Sequence, residues 1–359
     1  MLVYVGVLER SLDRLDALAS RALGEANIPG LVLACVDVRS PTLCRAYGLA
    51  SRDPAVAAVV STPFLVASVS KPIVASVIAS LAERRMLSLD ADVSSILPHA
   101  VRNPTHPEER ITLRMLLQHR ASLLDEQSWT DTSYSVGDHS VPLSEWLTSY
   151  FALGSAAASR GHGIERPGTV VRYSNVGYAL AAWVAESAAG MPFDDLARGL
   201  LFGPLGMTRS SFRLHDVLAA RPAVPYSGGA DSRLRAVKHY GFPFYPAGTL
   251  RTSVEDLARF VRCLLDRGTF EGTTLLSPDV VSEMLPDEGP GLGWARFPAL
   301  GPRIMGHEGA DIGAGARVTL DLERRAAVIV LGNAEWTASE RRSGFVEPLE
   351  AAALGLDYG

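Results

Sequence analysis

The apolar pattern of this chain is divided unevenly, with β-like stretches crowded at both ends and helical ones filling the middle. Residues 30–38 and 43–49 read as strands near the start, and 291–296, 303–307, 315–321 and 326–333 near the finish. Between them the spacing is helical, over 70–86, 113–119, 143–151, 175–189 and 192–201, then 253–266 and 277–285. Strands so far apart in sequence share a core only if the two termini meet in one sheet. The expected fold is therefore α/β, an α+β sandwich: a mainly antiparallel sheet from the N- and C-terminal segments, terminal helices at 8–27 and 335–354 flanking it, and an all-helical inserted domain. The expected division is 1–70 with 240–359 for the sheet part and 71–239 for the helical part, with a site where they meet. Residues 122–141 and 153–170 show no periodicity and are expected to be long surface loops.

Such a division needs a sizeable core. The 359 residues, 47% hydrophobic and 20% charged with a net charge of −5, supply one and argue against a disordered, fibrous or nucleic-acid-binding chain. No apolar run approaches the ~18–20 residues of a membrane span. The stretch at 2–8 has no basic residue before it and runs straight into Glu9-Arg10, so no secretory signal is read and a cytoplasmic location is expected. Cys35, Cys44 and Cys263 have no CxxC spacing and are expected to be buried thiols. His307-Glu308 lacks the second histidine of HExxH and the other histidines are scattered, so no metal site is expected.

Of the 34 basic residues only two, Lys71 and Lys238, are lysine. Lys71 stands three residues after Ser68 at the mouth of a predicted helix, a spacing that puts both side chains on one face. A serine becomes a nucleophile when a neighbouring base takes its proton, and a lysine can be that base where arginine cannot. Tyr173-Ser174-Asn175, at another helix start, could bring a phenol and an amide beside the serine. His307-Glu308-Gly309 closes a predicted strand, where the histidine could supply a donor and the glycine a close approach of substrate to backbone. Each motif also has a plain structural reading: a surface lysine, an asparagine N-cap behind a core tyrosine, and a strand-end histidine. Lys238, with Arg235 three residues before it, is read as a solvated charge.

Taken in order, Ser-x-x-Lys, Tyr-x-Asn and His-x-Gly resemble the serine β-lactamase and penicillin-binding protein superfamily, in its branch of class C β-lactamases, D,D-peptidases and esterases. Further segments share the likeness: Ile111-Thr112-Leu113 to His119, Pro167-Gly168-Thr169 to Gly203-Pro204-Leu205-Gly206-Met207-Thr208, Pro246-Ala247-Gly248-Thr249-Leu250 with Asp256-Leu257-Ala258, and Gly291-Leu292-Gly293-Trp294. The resemblance implies a β-lactamase/transpeptidase-like fold and an acyl-enzyme mechanism without metal or organic cofactor. Ser68 would attack a carbonyl, and Lys71 and Tyr173 would take its proton and later pass one to the leaving group. Asn175 would hold Lys71 or a substrate amide. His307, where many relatives carry lysine, would keep the tyrosine oxygen polarised. The backbone N–H groups of Ser68 and Ala310, after Gly309, would form the oxyanion hole.

Three departures bear on substrate. Glu308 stands where relatives that bind penicillins or D-alanyl peptides often carry a hydroxyl, and a carboxylate facing the site would repel a substrate carboxylate. The aromatic group Tyr240, Phe242, Phe244 and Tyr245 could line an apolar acyl pocket or form a core strand. His119-Arg120-Ala121-Ser122-Leu123 differs from the relatives' His-x-Ser-Gly-Leu at a local turn. The expected function is a cytoplasmic serine hydrolase of esterase type with a small-molecule acyl substrate. The alternatives are a transacylase, a β-lactamase or D-aminoacyl peptidase, and a non-catalytic scaffold or ligand sensor.

Overall fold

The computed structural model describes residues 2–25, 27–152, 155, 160–228, 233–336 and 345–354, with the side chains of the first helix from Asp13 onward. Its main sheet has seven strands: β1 (Gly30–Asp37), β2 (Leu43–Arg52), β3 (Ala55–Ala57), β4 (Ala295–Arg296), β5 (Ile304–Asp311), β6 (Ala314–Asp321) and β7 (Ala326–Gly332). Their order is β4-β5-β6-β7-β1-β2-β3, every neighbour antiparallel. β7 is the stitch between the chain ends, with Val32 opposite Leu331 and Ala34 opposite Ile329.

Because side chains alternate along a strand, the sheet has two apolar faces. Leu31, Leu33, Val328 and Val330 point to one, where α1 (Leu2–Glu25) and the helix Glu347–Leu354 cover them with Leu15, Ala19, Ala22 and Leu349. Val32, Ala34, Val318, Leu320 and Ile329 point to the other and meet the rest of the helices in one continuous core. Burying a Val or Leu side chain contributes ~1.5–3 kcal/mol, so both faces need their helices. On the inner face lie α2 (Ser70–Glu83), α3 (Leu113–Leu117), α4 (Leu143–Phe151), α5 (Asn175–Ala189) and α6 (Val254–Leu265). α2 and α5 are buried along nearly their whole length, and their small Ala and Ser residues let them pack as core helices rather than amphipathic ones.

Several boundaries differ from expectation for identifiable reasons. Segment 291–296 is a strand only at Ala295–Arg296, because Gly293 (φ +78°) lies against α2: a Cβ there would stand 2.8 Å from the Ala75 Cβ and 3.1 Å from the Lys71 carbonyl oxygen. β5 continues four residues past His307, so that histidine lies within the strand rather than at its end. The helix at 113–119 stops at Leu117, and His119 takes φ +56°. The 122–141 stretch is folded, burying Leu123, Glu126 and Thr130, and pairs Ser135–Val136 with Tyr240–Gly241. At the close, helix spans Glu347–Leu354; residues 337–344 of the expected helix, like parts of 153–170, lie outside the described residues. Cys263 is buried, whereas Cys35 and Cys44 are half-buried; all three are free thiols. No helix among the described residues is long and apolar enough to cross a membrane.

Candidate active site

Ser68 sits in a single 3₁₀ turn, Ala67–Val69, that leads into α2. Ala67 is left-handed at φ +46°, an unfavourable conformation for a residue with a Cβ and one that costs of order 1–3 kcal/mol. One helical turn on, Lys71 is fully buried, and its Nζ lies 3.0 Å from Ser68 Oγ, 2.7 Å from Asn175 Oδ1 and 2.8 Å from the Ala247 carbonyl oxygen. The Ala247 contact gives the Pro246-Ala247-Gly248 segment a place at the site. Burial penalises the ammonium form and lowers the Lys71 pKa to about 7, against the pull of Asp125 and Asp311.

Tyr173 precedes α5, whose N-cap is Ser174: its Oγ accepts from the Gly177 N–H at 2.9 Å, so Asn175 is the first helical residue and its amide is free to reach Lys71. The Tyr173 hydroxyl donates to Ser68 Oγ at 2.6 Å. Desolvation of the phenol raises its pKa, against the hydrogen bond to Ser68, so the neutral form is favoured. The lysine amine can therefore be neutral near pH 7 while the phenol keeps its proton, the two protonation states that proton transfer through Ser68 would require.

β5 approaches from the opposite side. A Cβ on Gly309 would stand 2.1 Å from the Val66 carbonyl oxygen and 3.1 Å from the Ser68 amide nitrogen, so only glycine lets this strand lie against the turn that carries Ser68. Ala310, the next residue, is exposed on the strand. His307 is buried on the same face as Gly309, its ring centroid 6.5 Å from that of Tyr173. Its Nδ1 donates to the Glu308 carbonyl oxygen at 2.7 Å, and burial beside Lys71 lowers its pKa to about 3. A neutral ring that spends its proton on that carbonyl presents Nε2 as an acceptor. The expected donor role for His307 is therefore corrected.

Glu308, between them, points the other way. It pairs with Arg317, its cross-strand neighbour on β6, at 2.5 Å, and Arg317 in turn reaches the buried Glu350 of the last helix at 2.5 Å. The carboxylate lies on the far face of the sheet, so the expected repulsion of a substrate carboxylate does not arise. Of the aromatic group at 240–245, Phe242 and Phe244 stack at 4.3 Å and are buried with Tyr240, while Phe242 and the half-buried Tyr245 also wall a small cavity with Phe212, Arg213 and Thr249. An open cleft of about 460 Å3 runs elsewhere, beside Tyr173 and His307, with Leu117, Val171, Pro290 and Trp294 among its walls.

Two participants escape a reading by motif. Asp125 accepts hydrogen bonds from the Ser174 hydroxyl, the Asn175 and Val176 N–H groups and the Asn175 side-chain amide. His119 packs against Tyr173, the ring centroids 4.3 Å apart and tilted by 30°, and accepts from the Ser174 N–H through Nδ1. The sequence signals touched His119 alone, which ends the 111–119 segment and opens the 119–123 turn, while Asp125 stands two residues beyond that turn. Within the turn Ser122 stands at φ +54° where relatives carry glycine, and its hydroxyl accepts from the Asn103 side chain at 3.1 Å.

Comparison with known proteins agrees with this architecture. The Beta-lactamase family model matches residues 15–353. Penicillin-binding protein 4 of Amycolatopsis lactamdurans is 28% identical over 321 residues, covering 84% of this chain and 78% of the relative. The octameric penicillin-binding protein homologue from Pyrococcus abyssi superposes with a TM-score of 0.79 at 23% identity, covering 96% of this chain and 77% of that one. EstCE1, described as a hydrolase with promiscuous acyltransferase activity, superposes with a TM-score of 0.78 at 20% identity, covering 96% and 98%. With its two-ended antiparallel sheet, its helical insertion and a family match over nearly the whole length, the chain belongs to the beta-lactamase family of serine hydrolases.

Proposed function

We propose that this protein is an esterase-type serine hydrolase that works through an acyl-enzyme on Ser68. The observation that carries the reading is the Tyr173–Ser68–Lys71 chain of hydrogen bonds, with a proton donor at one end and a depressed amine at the other. In this mechanism Lys71 Nζ takes the Ser68 proton as Oγ bonds to the substrate carbonyl carbon. The Ser68 and Ala310 N–H groups hold the oxyanion, and loss of one such donor typically costs ~3 kcal/mol of barrier. Tyr173 gives its proton to the leaving oxygen as the C–O bond breaks, and the lysinium, 4.8 Å from the Tyr173 ring, restores it. Water then repeats the sequence on the ester.

Because Tyr173 protonates the leaving group, the group that departs lies on the Tyr173 side of Ser68, where the cleft walled by Leu117, Val171 and Trp294 begins. An ester of an apolar alcohol suits that side. The same cleft supports a second reading, transfer of the acyl group to an apolar alcohol in place of water. With Glu308 turned away, β-lactams and D-alanyl amides also belong in the substrate panel. The test is a matrix of esters in which acyl group and alcohol vary independently. The reading expects kcat/KM to rise with the apolar size of the alcohol, and expects Val171→Asp to remove that trend; turnover confined to β-lactams or D-alanyl amides would overturn it. Added benzyl alcohol separates the two readings by whether benzyl ester replaces free acid.

A further inference from the structure

We propose that Asp125 is a positioning residue of this site: it holds Asn175, and Asn175 holds Lys71 on Ser68. The inference rests on the reading of Ser68 and Lys71 as nucleophile and base.

The geometry is a relay of three side chains. Asp125 Oδ2 accepts from both the backbone N–H (2.9 Å) and the side-chain Nδ2 (2.8 Å) of Asn175, while Oδ1 accepts from the Val176 N–H (3.0 Å) and the Ser174 hydroxyl (2.9 Å). Four donors converge on one half-buried carboxylate. Binding Nδ2 fixes which end of the Asn175 amide faces Lys71: Oδ1 is left to accept from Nζ at 2.7 Å. Without that anchor the amide can rotate and present its NH₂ to the amine, a repulsive contact with an ammonium. Asp125 thus decides whether Asn175 attracts Lys71 or repels it.

Its charge acts on the same amine. The ionisable and ring groups around Lys71 are Asp125 from the segment after α3, Asp311 and His307 from β5, His119 at φ +56°, and Tyr173 and Tyr178, whose rings lie 4.8 and 5.6 Å from Nζ. Burial holds both histidines far below their ordinary pKa, so they add no charge near neutrality. The two aspartates are left to counter the burial that strips Lys71 of its proton. Asp125→Asn removes one of them and should lower the pH at which Lys71 titrates.

The scarcity of lysine makes this measurable on the full chain. With lysine labelled with 13C at Cε, only two signals arise, and Lys238→Arg assigns them. We expect Asp125→Asn to reduce the proton affinity of Lys71 by about tenfold and to slow ester acylation of Ser68 by ~10- to 100-fold. Ser174→Ala, which removes the α5 cap but leaves the Asp125 charge, should lower the melting temperature and leave the Lys71 midpoint in place. An unchanged Lys71 midpoint in folded Asp125→Asn overturns the proposal. If that variant does not fold, Asp125→Glu carries the test: the charge stays but its reach changes, so the midpoint should hold while acylation slows, and unaltered acylation overturns the relay. Failure of wild type to acylate with any ester would instead overturn the parent reading, and the Lys71 titration would show that separately.

Discussion

Gly309 lies so close to the turn that carries Ser68 that a Cβ added to it would stand 2.1 Å from the carbonyl oxygen of Val66. That contact sets the gap between β5 and Ser68, and with it the position of the Ala310 N–H, a proposed oxyanion donor. Gly309→Ala should push the strand away and reduce Ser68 acylation by about 10²-fold or more, the usual effect of losing one oxyanion donor. Single-turnover acylation rates check this; a variant that acylates at the wild-type rate would show that β5 does not shape the hole.

Lys71 should govern the pH profile. Its pKa falls from 10.5 to about 7 on folding, and in the proposed mechanism the neutral amine is the base. Thus kcat/KM should rise with pH through an inflection near 7. Stability should move in the same direction: between about 7 and 10.5 the unfolded chain binds the proton that the folded one does not, so raising the pH across that window favours the fold. Lys71→Arg should abolish the inflection together with the activity, since arginine stays protonated.

Tyr173→Phe removes the proton donor but leaves its ring on His119. Melting temperature should change little, while acylation by an ester with a poor alcohol leaving group falls by ~10²–10⁴-fold. Esters of acidic phenols, whose leaving groups need no proton, should be affected much less. An equal loss for both classes would remove Tyr173 from the donor role.

Glu308 and Arg317 separate function from stability. Glu308 faces away from the site, so Glu308→Gln should leave kcat/KM within about twofold of wild type on neutral and carboxylate-bearing esters. Arg317→Met breaks the ion pair between Arg317 and the fully buried Glu350; breaking a buried pair in this way costs ~3–5 kcal/mol. Denaturant melts of the two variants give the comparison.

Much of this was legible in the amino-acid order because the informative residues act locally. Ser68 and Lys71 share one helical turn, α5 runs over the expected residues, and α6 fills the expected 253–266 span, capped by Ser253, whose hydroxyl accepts from the Asp256 N–H at 3.1 Å. What escaped depends on partners distant in sequence. Whether Glu308 faces substrate or Arg317 is a matter of strand pairing. Asp125 matters only because its loop reaches the start of α5, 50 residues later. Whether the aromatic cluster at 240–245 is pocket or core also turns on distant partners: Tyr134 and Trp146 pack against Phe242 and Phe244, while Tyr245 stays half-buried at the edge of a cavity.

Intact-protein mass spectrometry reads an acyl group on Ser68 without any assumption about the substrate's alcohol. Wild type and Ser68→Ala would be incubated with a panel of activated esters and quenched within the first turnover. The account predicts a mass increase equal to one acyl group on wild type, mapped to Ser68, and none on Ser68→Ala. Equal turnover by both proteins, with no adduct on Ser68, would contradict it.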